Sequence, residues 1–180
     1  MIEDPTTVTV ECWSRDTAEP AVGAWQDSVY EQLQNHVNAD RITDLEINTW
    51  GKCIQCPTAG HDEDETPVDE SWEKYRQFEH WASSGGYDLE PGFRRYKRSS
   101  LVSSDSCEPV VVPVLCLAVY ADTELQAVFP CSTQNQVWTV EDGLALLDPD
   151  QSMTWADFAT ESVREANDAS EQEVRRDAST

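Results

Sequence analysis

The sequence predicts an α/β fold in a single domain, followed by an acidic C-terminal tail. Two observations support this class. Apolar residues alternate at residues 6–13 and 42–50, the period of half-buried strands, and between these segments they recur at spacings of three and four, the period of an amphipathic helix. The chain of 180 residues can bury one core of adequate size. We place the domain at residues 1–148, and the tail, partly helical or disordered, at residues 149–180.

The first strand, the first helix and the second strand form the first predicted unit. Asp16 or Thr17 can cap the helix, and Pro20 fits its first turn. The apolar face of this helix comprises Val22, Trp25, Val29, Leu33 and Val37. Because the helix is a crossover connection, we expect the two strands to be paired and the crossover to be right-handed.

The middle of the chain predicts a loop, a second helix and a short extended segment. Residues 53–70 combine turn formers with a run of acids, which indicates an exposed loop. The next helix is expected to begin between residues 67 and 71 and to end at Gly85 and Gly86. Its buried residues are predicted to be Trp72, Tyr75, Phe78 and either Ala82 or Trp81. After it, the basic stretch 93–98 is expected to be extended and residues 99–108 to be a polar loop.

The last part of the domain predicts a hairpin and a third helix. Residues 110–120 read as the most buried strand, and Asp122 with Thr123 turns the chain into a strand at residues 125–129. Thr139 starts a helix, with Asp142 placed as the acid of a capping box. This helix is expected to bury Val140, Leu144 and Leu147, and the tail to contain a short amphipathic piece at Trp155, Phe158 and Val163.

This order of elements, βαβαββα, resembles the thioredoxin fold. Pro113 precedes the buried strand, and thioredoxins similarly place a cis-proline before their third core strand. The resemblance implies a thioredoxin-like domain. Redox catalysis of the thioredoxin kind would need Cys-x-x-Cys at the start of the first helix, where the helix dipole lowers a thiol pKa. Residues 14–17 are Ser-Arg-Asp-Thr, so that chemistry is not expected there.

The charge of the chain is its most unusual property. There are 35 acidic and 12 basic residues, which gives a net charge of −23 at pH 7. The acids are dispersed along the chain, and such a surface suits molar salt, where a Debye length of about 3 Å screens self-repulsion. We therefore expect a protein of a halophilic archaeon; the alternative is an acidic mesophilic protein that binds a basic partner. With no signal peptide visible and no apolar run of about 18 residues, we expect a cytoplasmic protein without a membrane span.

Five blocks of the sequence resemble a family of small haloarchaeal proteins of uncharacterised function, commonly labelled helix-turn-helix domain proteins. The blocks are residues 47–52 (INTWGK), 78–82 (FEHWA), 89–93 (LEPGF), 112–120 (VPVLCLAVY) and 129–144 (FPCSTQNQVWTVEDGL). The resemblance supports a halophilic source, and its label implies DNA binding. It brings no established catalytic residues.

The first candidate site is a cysteine loop. Cys53-x-x-Cys56 is followed five residues later by His61. A structural zinc ion needs four ligands in a tetrahedral arrangement, and Cys107 in the other polar loop could supply the fourth. Zinc is the one cofactor that this pattern suggests. A redox-active or regulatory dithiol and plain reduced thiols are the alternatives.

The second candidate site is the basic segment Arg94, Arg95, Tyr96, Lys97 and Arg98, which holds four of the 12 basic residues of the chain. The rings of Phe93, which precedes the segment, and Tyr96 could stack on bases while the guanidinium groups bind phosphates. Counterion release, however, contributes little to affinity in molar salt. The alternative is that these arginines pair with carboxylates of the adjacent helix.

A catalytic site is not indicated. Cys131 and Ser132 stand at a strand end, but no histidine is placed to activate them, and Cys12 and Cys116 read as small buried hydrophobes. There is no Gly-rich phosphate loop and no Ser-His-Asp arrangement. The sequence therefore predicts a non-catalytic regulatory or interaction protein that acts on a protein or on DNA. The alternative is a thiol redox or zinc-binding protein that uses Cys53 and Cys56.

Overall fold

The computed structural model describes residues 7–56, 70–90, 92–96, 108–150 and 158. These residues form one α/β domain, which confirms the predicted class. The helices are α1 (Pro20–Asn38), α2 (Glu70–Gly85) and α3 (Val140–Leu146). The strands are β1 (Val8–Arg15), β2 (Asp44–Trp50), β3 (Cys53–Ile54), β4 (Arg94–Arg95), β5 (Val110–Val111), β6 (Leu115–Ala121), β7 (Glu124–Phe129), β8 (Cys131–Ser132) and β9 (Val137–Trp138).

The main sheet has four strands in the order β2-β1-β6-β7. The strands β1 and β2 are parallel, with Cys12 opposite Ile47, and α1 connects them as predicted. The strand β6 is antiparallel to both β1 and β7. Asp122 and Thr123, at the turn between β6 and β7, have φ angles of 48° and 80°, and two positive φ angles are typical of a type I′ hairpin turn. The predicted hairpin is confirmed.

The core lies on both faces of the main sheet, with β6 at its centre. Leu117 and Val119 pack in one apolar cluster with residues of α1 and α3. Cys116 and Ala118 face the other way and pack in a second cluster with residues of α2. This alternation follows from the strand period of two. Because both faces are covered by helices, β6 is apolar at nearly every position rather than alternating between apolar and polar residues.

Residues 110–120 do not form one strand, contrary to the prediction. Val110 and Val111 belong to the separate strand β5, and β6 begins at Leu115. Pro113 lies between them, and proline cannot donate a hydrogen bond to a strand ladder. Among the described residues, the cis peptide bond is that of Phe129 and Pro130.

Two further predictions of local structure are corrected and one is confirmed. The N-cap of α1 is Glu19, with Pro20 at the start of the helix, instead of Asp16 or Thr17. Residues 53 and 54, predicted as loop, form β3 because they pair with the distant strand β5, a contact that turn-forming composition cannot reveal. The capping box of Thr139 and Asp142 is present at α3.

Phe158, in the segment predicted as the tail, is part of the core. It is 2% exposed. Its ring stacks on Tyr87 with centroids 5.1 Å apart, and the Tyr87 hydroxyl donates to the Phe158 carbonyl at 3.1 Å. Trp155 and Val163 lie outside the described residues, and the boundary at residue 148 stays a prediction. None of the described helices combines the length and apolar character needed to cross a bilayer.

Candidate functional site

A small sheet brings the cysteine loop and the basic segment together. It consists of three short strands in the order β3-β5-β4. On the central strand, Val111 pairs with Cys53 on one side and with Arg94 on the other. Residues paired across strands project from the same face of a sheet, and Cys53 and Arg94 are both exposed. With strands about 4.8 Å apart, the two backbones lie about 10 Å from each other.

The next row of the same sheet connects the basic segment to α2. Ile54 and Val110 are each 1% exposed, and Val110 pairs with Arg95. The Arg95 guanidinium forms an ion pair with Glu79 of α2. Arg95 therefore pairs with a carboxylate of the adjacent helix, as one of the two interpretations of the basic segment predicted.

Tyr75 is the third member of this contact. Its hydroxyl donates to Glu79 Oε1 at 3.3 Å. Its hydrogen bond with Arg95 is the main reason that the pKa of Arg95 is raised, and burial raises the pKa of Tyr75 itself. Tyr75 and Arg95 therefore both keep their protons near neutral pH.

Arg94 and Tyr96 are exposed residues of the basic segment, as is Arg95 despite its ion pair. The Tyr96 side chain is 64% exposed, while its backbone N–H donates to the Pro109 carbonyl at 3.0 Å and anchors the end of β4. Arg94 is exposed. Lys97 and Arg98 lie outside the described residues. A cation and an aromatic ring are thus presented side by side at the edge of the small sheet.

The two cysteines of the cysteine loop differ in oxidation state. Cys53 is an exposed free thiol, and its sulfur accepts a hydrogen bond from the Gln55 side chain at 3.4 Å. Cys56 is disulfide-bonded, so it is not bonded to Cys53. His61 and Cys107 lie outside the described residues, and the zinc site that combines them with Cys53 and Cys56 stays a prediction. Within the described ranges, no three metal-binding side chains are grouped.

The other three described cysteines are buried. Burial raises the pKa of Cys12 to about 12 and raises the pKa values of Cys116 and Cys131 well above the ordinary value. A thiol that keeps its proton is a poor nucleophile. The predicted burial of Cys12 and Cys116 is confirmed, and Cys131 is as inaccessible as they are.

A cavity of about 430 Å³ adjoins the ion pair, between the C-terminal half of α2 and the chain that leads to β4. The residues that line it include Tyr75, Tyr87 and Phe93 and the acidic residues Glu79 and Glu90. Sequence reasoning missed this cavity, although two of the sequence blocks described above, FEHWA and LEPGF, supply part of its lining. These two blocks were the sequence feature that could have indicated the cavity.

A second polar cluster, also missed from the sequence, joins α2 to the main sheet. Lys74 Nζ lies 2.9 Å from Glu11 Oε1 and 3.3 Å from the Tyr120 hydroxyl. Trp13 Nε1 donates to the other carboxylate oxygen of Glu11 at 3.0 Å. Because Glu11 and Lys74 neutralise each other in a largely buried place, the cluster fixes the position of α2 against the main sheet.

These observations define an α/β domain with an exposed basic strand edge and an adjoining cavity. The chain belongs to a helix-turn-helix domain family, whose family model matches residues 2–152. No curated protein and no solved structure matches the chain. Within the described ranges, α1 and α2 are each followed by a strand instead of a second helix, so these two helices do not form the motif that the family description names.

Proposed function

We propose that this protein is a non-catalytic regulatory protein of a halophilic archaeon and that it binds DNA through the edge strand β4. The observation that carries the proposal is the exposure of Arg94 and Tyr96 in a chain whose net charge is −23. Guanidinium groups bind phosphates, and an exposed aromatic ring can stack on a base. The description of the family supports DNA as the partner; the alternative partner is a protein.

The contribution of Arg95 to this surface is expected to be smaller than that of Arg94. Arg95 is engaged by Glu79 and Tyr75, and a phosphate would have to compete with both. Arg94 lies on the opposite face of the strand, beside Val111. The proposal therefore assigns phosphate contact first to Arg94 and base stacking to Tyr96, with Lys97 and Arg98 continuing the same basic stretch in the sequence.

The test is fluorescence anisotropy with labelled double-stranded DNA in molar KCl. Arg94→Ser and Tyr96→Ala are each expected to weaken binding by about fivefold or more. Arg41→Ser is the control, because Arg41 lies outside both α2 and the small sheet and pairs with Asp148 instead. Absence of any DNA binding by the unaltered protein, or equal losses for Arg94→Ser and Arg41→Ser, would count against the proposal.

The wider setting of the protein is part of the same proposal. A halophilic source is supported by the dispersed acidic surface, and a cytosolic location is proposed with it. A thioredoxin-like relationship of the core is supported by the order of helices and main-sheet strands along the chain, β1-α1-β2-α2-β6-β7-α3.

A second candidate function is thiol-based redox chemistry at Cys53 and Cys56. Its support is the exposed free thiol of Cys53 three residues before the disulfide-bonded Cys56. A thiolate at Cys53 could attack the Cys56 sulfur, forming a Cys53–Cys56 bond while the former partner sulfur leaves as a thiolate and takes up a proton. Peptide mapping after alkylation tests this exchange, which needs no oxidant: alkylation should be found at Cys53 in some molecules and at the former partner of Cys56 in others, and alkylation of Cys53 alone would contradict it.

Zinc binding by the same loop remains part of this second candidate. Cys53, Cys56, His61 and Cys107 are the proposed ligands, and the disulfide of Cys56 would have to be reduced first, because zinc binds the thiolate. Native mass spectrometry of the reduced protein, with and without a chelator, is the measurement. A mass without bound zinc in both samples would remove the metal from the proposal.

A further inference from the structure

We infer that Cys56 forms its disulfide with Cys107 and that this bond holds the small sheet together. The sequence has six cysteines. Four of them are free thiols, namely Cys12, Cys53, Cys116 and Cys131. Cys56 is disulfide-bonded. Cys107 lies outside the described residues, and it is the one cysteine of the chain that is left as a partner for Cys56.

Strand pairing is consistent with this partner. Ile54 of β3 pairs with Val110 of β5 in an antiparallel ladder. In such a ladder, the chain that follows one strand and the chain that precedes the other leave at the same end. Cys56 follows Ile54 by two residues, and Cys107 precedes Val110 by three. A disulfide joins Cα atoms about 4.4–6.8 Å apart, so the few residues between each cysteine and the ladder allow the bond.

The ladder beside this bond is short. The strands β3, β4 and β5 have two residues each, and so few backbone hydrogen bonds give little stability on their own. Ile54 and Val110 add apolar contact, since each is only 1% exposed. A covalent bond close to this pair therefore holds β3 to β5 where the backbone pairing ends.

The bond also closes a long segment of the chain. Both α2 and β4 lie between residues 56 and 107, in a loop of about 50 residues. In the chain-entropy account, a disulfide restricts the unfolded chain, and it stabilises the folded state more when the closed loop is longer. The bond is therefore expected to stabilise the part of the domain that carries the basic strand.

The bond lies near the basic edge, and its effect there rests on the proposed DNA function. Pro109 is two residues after Cys107, and the Pro109 carbonyl accepts the backbone N–H of Tyr96 at 3.0 Å. Arg94 pairs with Val111 on the same stretch of chain. Opening the disulfide releases the chain that anchors both of these DNA-binding candidates. DNA binding should therefore be tighter when the bond is formed.

Two reactions open the bond. A dithiol reductant supplies two electrons and two protons, so that Cys56 and Cys107 become thiols while the dithiol becomes a disulfide. The thiolate of Cys53 can instead attack the Cys56 sulfur, forming a Cys53–Cys56 bond while the Cys107 sulfur leaves as a thiolate and takes up a proton. The second reaction needs no reductant, because one disulfide replaces another. In both products β3 is no longer linked to the chain before β5.

Peptide mapping of Cys53→Ser tests the partner. This variant cannot exchange within the cysteine loop, so the oxidised protein has one bond to find. The full chain is equilibrated with reduced and oxidised glutathione, its free thiols are blocked with N-ethylmaleimide, and it is digested with pepsin. A cross-linked pair of peptides that contains Cys56 and Cys107 is expected. Blocked Cys107 in every molecule, or a bond from Cys56 to a second copy of the chain, would overturn the assignment.

Thermal unfolding in molar KCl tests the effect on stability. Cys56→Ser and Cys107→Ser are each expected to lower the Tm by about 5 °C or more. The double variant should lose no more than either single variant, because each removes the same bond. Cys53→Ser is the matched control: it removes a free thiol of the same loop and should lower the Tm by less than about 2 °C. Equal Tm values for Cys107→Ser and Cys53→Ser, or additive losses in the double variant, would refute the stabilising bond.

A separate measurement tests the coupling to DNA. Dithiothreitol should lower the DNA affinity of the unaltered protein by about fivefold and leave the already lower affinity of Cys107→Ser unchanged. If the bond is present but its reduction does not alter DNA affinity, the coupling is wrong and the disulfide assignment stands. If the protein binds no DNA, the proposed function fails, while peptide mapping and the Tm values still decide the bond.

Discussion

Removing the positive charge of Lys74 is expected to destabilise the domain by about 2–3 kcal/mol. Only 21% of the Lys74 side chain and 13% of the Glu11 side chain are exposed, and the charged atoms lie 2.9 Å apart. Lys74→Met keeps the side-chain length but leaves the Glu11 carboxylate without a cation in a largely dry place. Losing one partner of a fully buried pair costs about 3–5 kcal/mol. The remaining exposure, and the hydrogen bond from Trp13 to Glu11, lower the expected value.

Urea unfolding in molar KCl, followed by tryptophan fluorescence, measures this free energy of unfolding. The double variant Glu11→Gln/Lys74→Met should lose only about 1 kcal/mol, because it leaves no unpaired charge. Lys52→Met is the matched control: Lys52 is exposed, and its replacement should change stability by less than about 0.5 kcal/mol. The reasoning is refuted if Lys74→Met is as stable as Lys52→Met, or if the double variant loses as much as the two single variants together.

Three further predictions concern a histidine and two backbone positions. Burial, followed by the charge of Arg41, lowers the pKa of His36 below its ordinary value of 6.5. As the pH falls, the unfolded chain therefore binds a proton at His36 before the folded chain does, and the free energy of unfolding should decrease below pH 6.5. Unfolding curves at several pH values should show a smaller decrease for His36→Gln. The same decrease in both proteins would contradict a role of His36 in it. Thr123 has a φ of 80°, so Thr123→Gly should stabilise the hairpin by about 1 kcal/mol, whereas a lower urea midpoint would show that no strain was relieved. A Cβ on Gly143 would lie 2.6 Å from the Phe129 ring, so Gly143→Ala should lower the free energy of unfolding by about 1–3 kcal/mol. Gly23 has open space around it, so Gly23→Ala should raise the free energy of unfolding by up to about 1 kcal/mol. A similar change in both variants would refute the packing argument.

Much of the fold could be predicted because the signals are local. The spacing of Val29 and Leu33 identified two buried residues of α1, although Gln26 and His36 are buried there as well, and Thr139 with Asp142 identified the start of α3. The error at residues 110–120 also has a local cause. The apolar residues on both sides of Pro113 predicted one strand, but the proline has no N–H to donate, and the structure has separate strands on either side of it.

The candidate site was predicted only in parts. The basic segment and the cysteine loop were recognised separately as departures from the acidic composition, but their common row across Val111 depends on strand pairing between distant segments. The cavity was not predicted at all. Glu79 and Glu90 are two acids among 35 in the chain, and composition cannot distinguish them from acids that only face solvent.

The sequence by itself determined the class of the fold, the charged surface and the positions of most helices and strands, because periodicity, capping and composition act over a few residues. Tertiary structure alone decided which charges are paired and which are available. Lys74 and Arg95 are two of 12 basic residues, yet both are engaged by carboxylates, while Arg94 faces solvent. The physical reason is that the electrostatic energy of a charged group depends on its burial and on its nearest partners. Both are set by contacts between segments far apart in the chain.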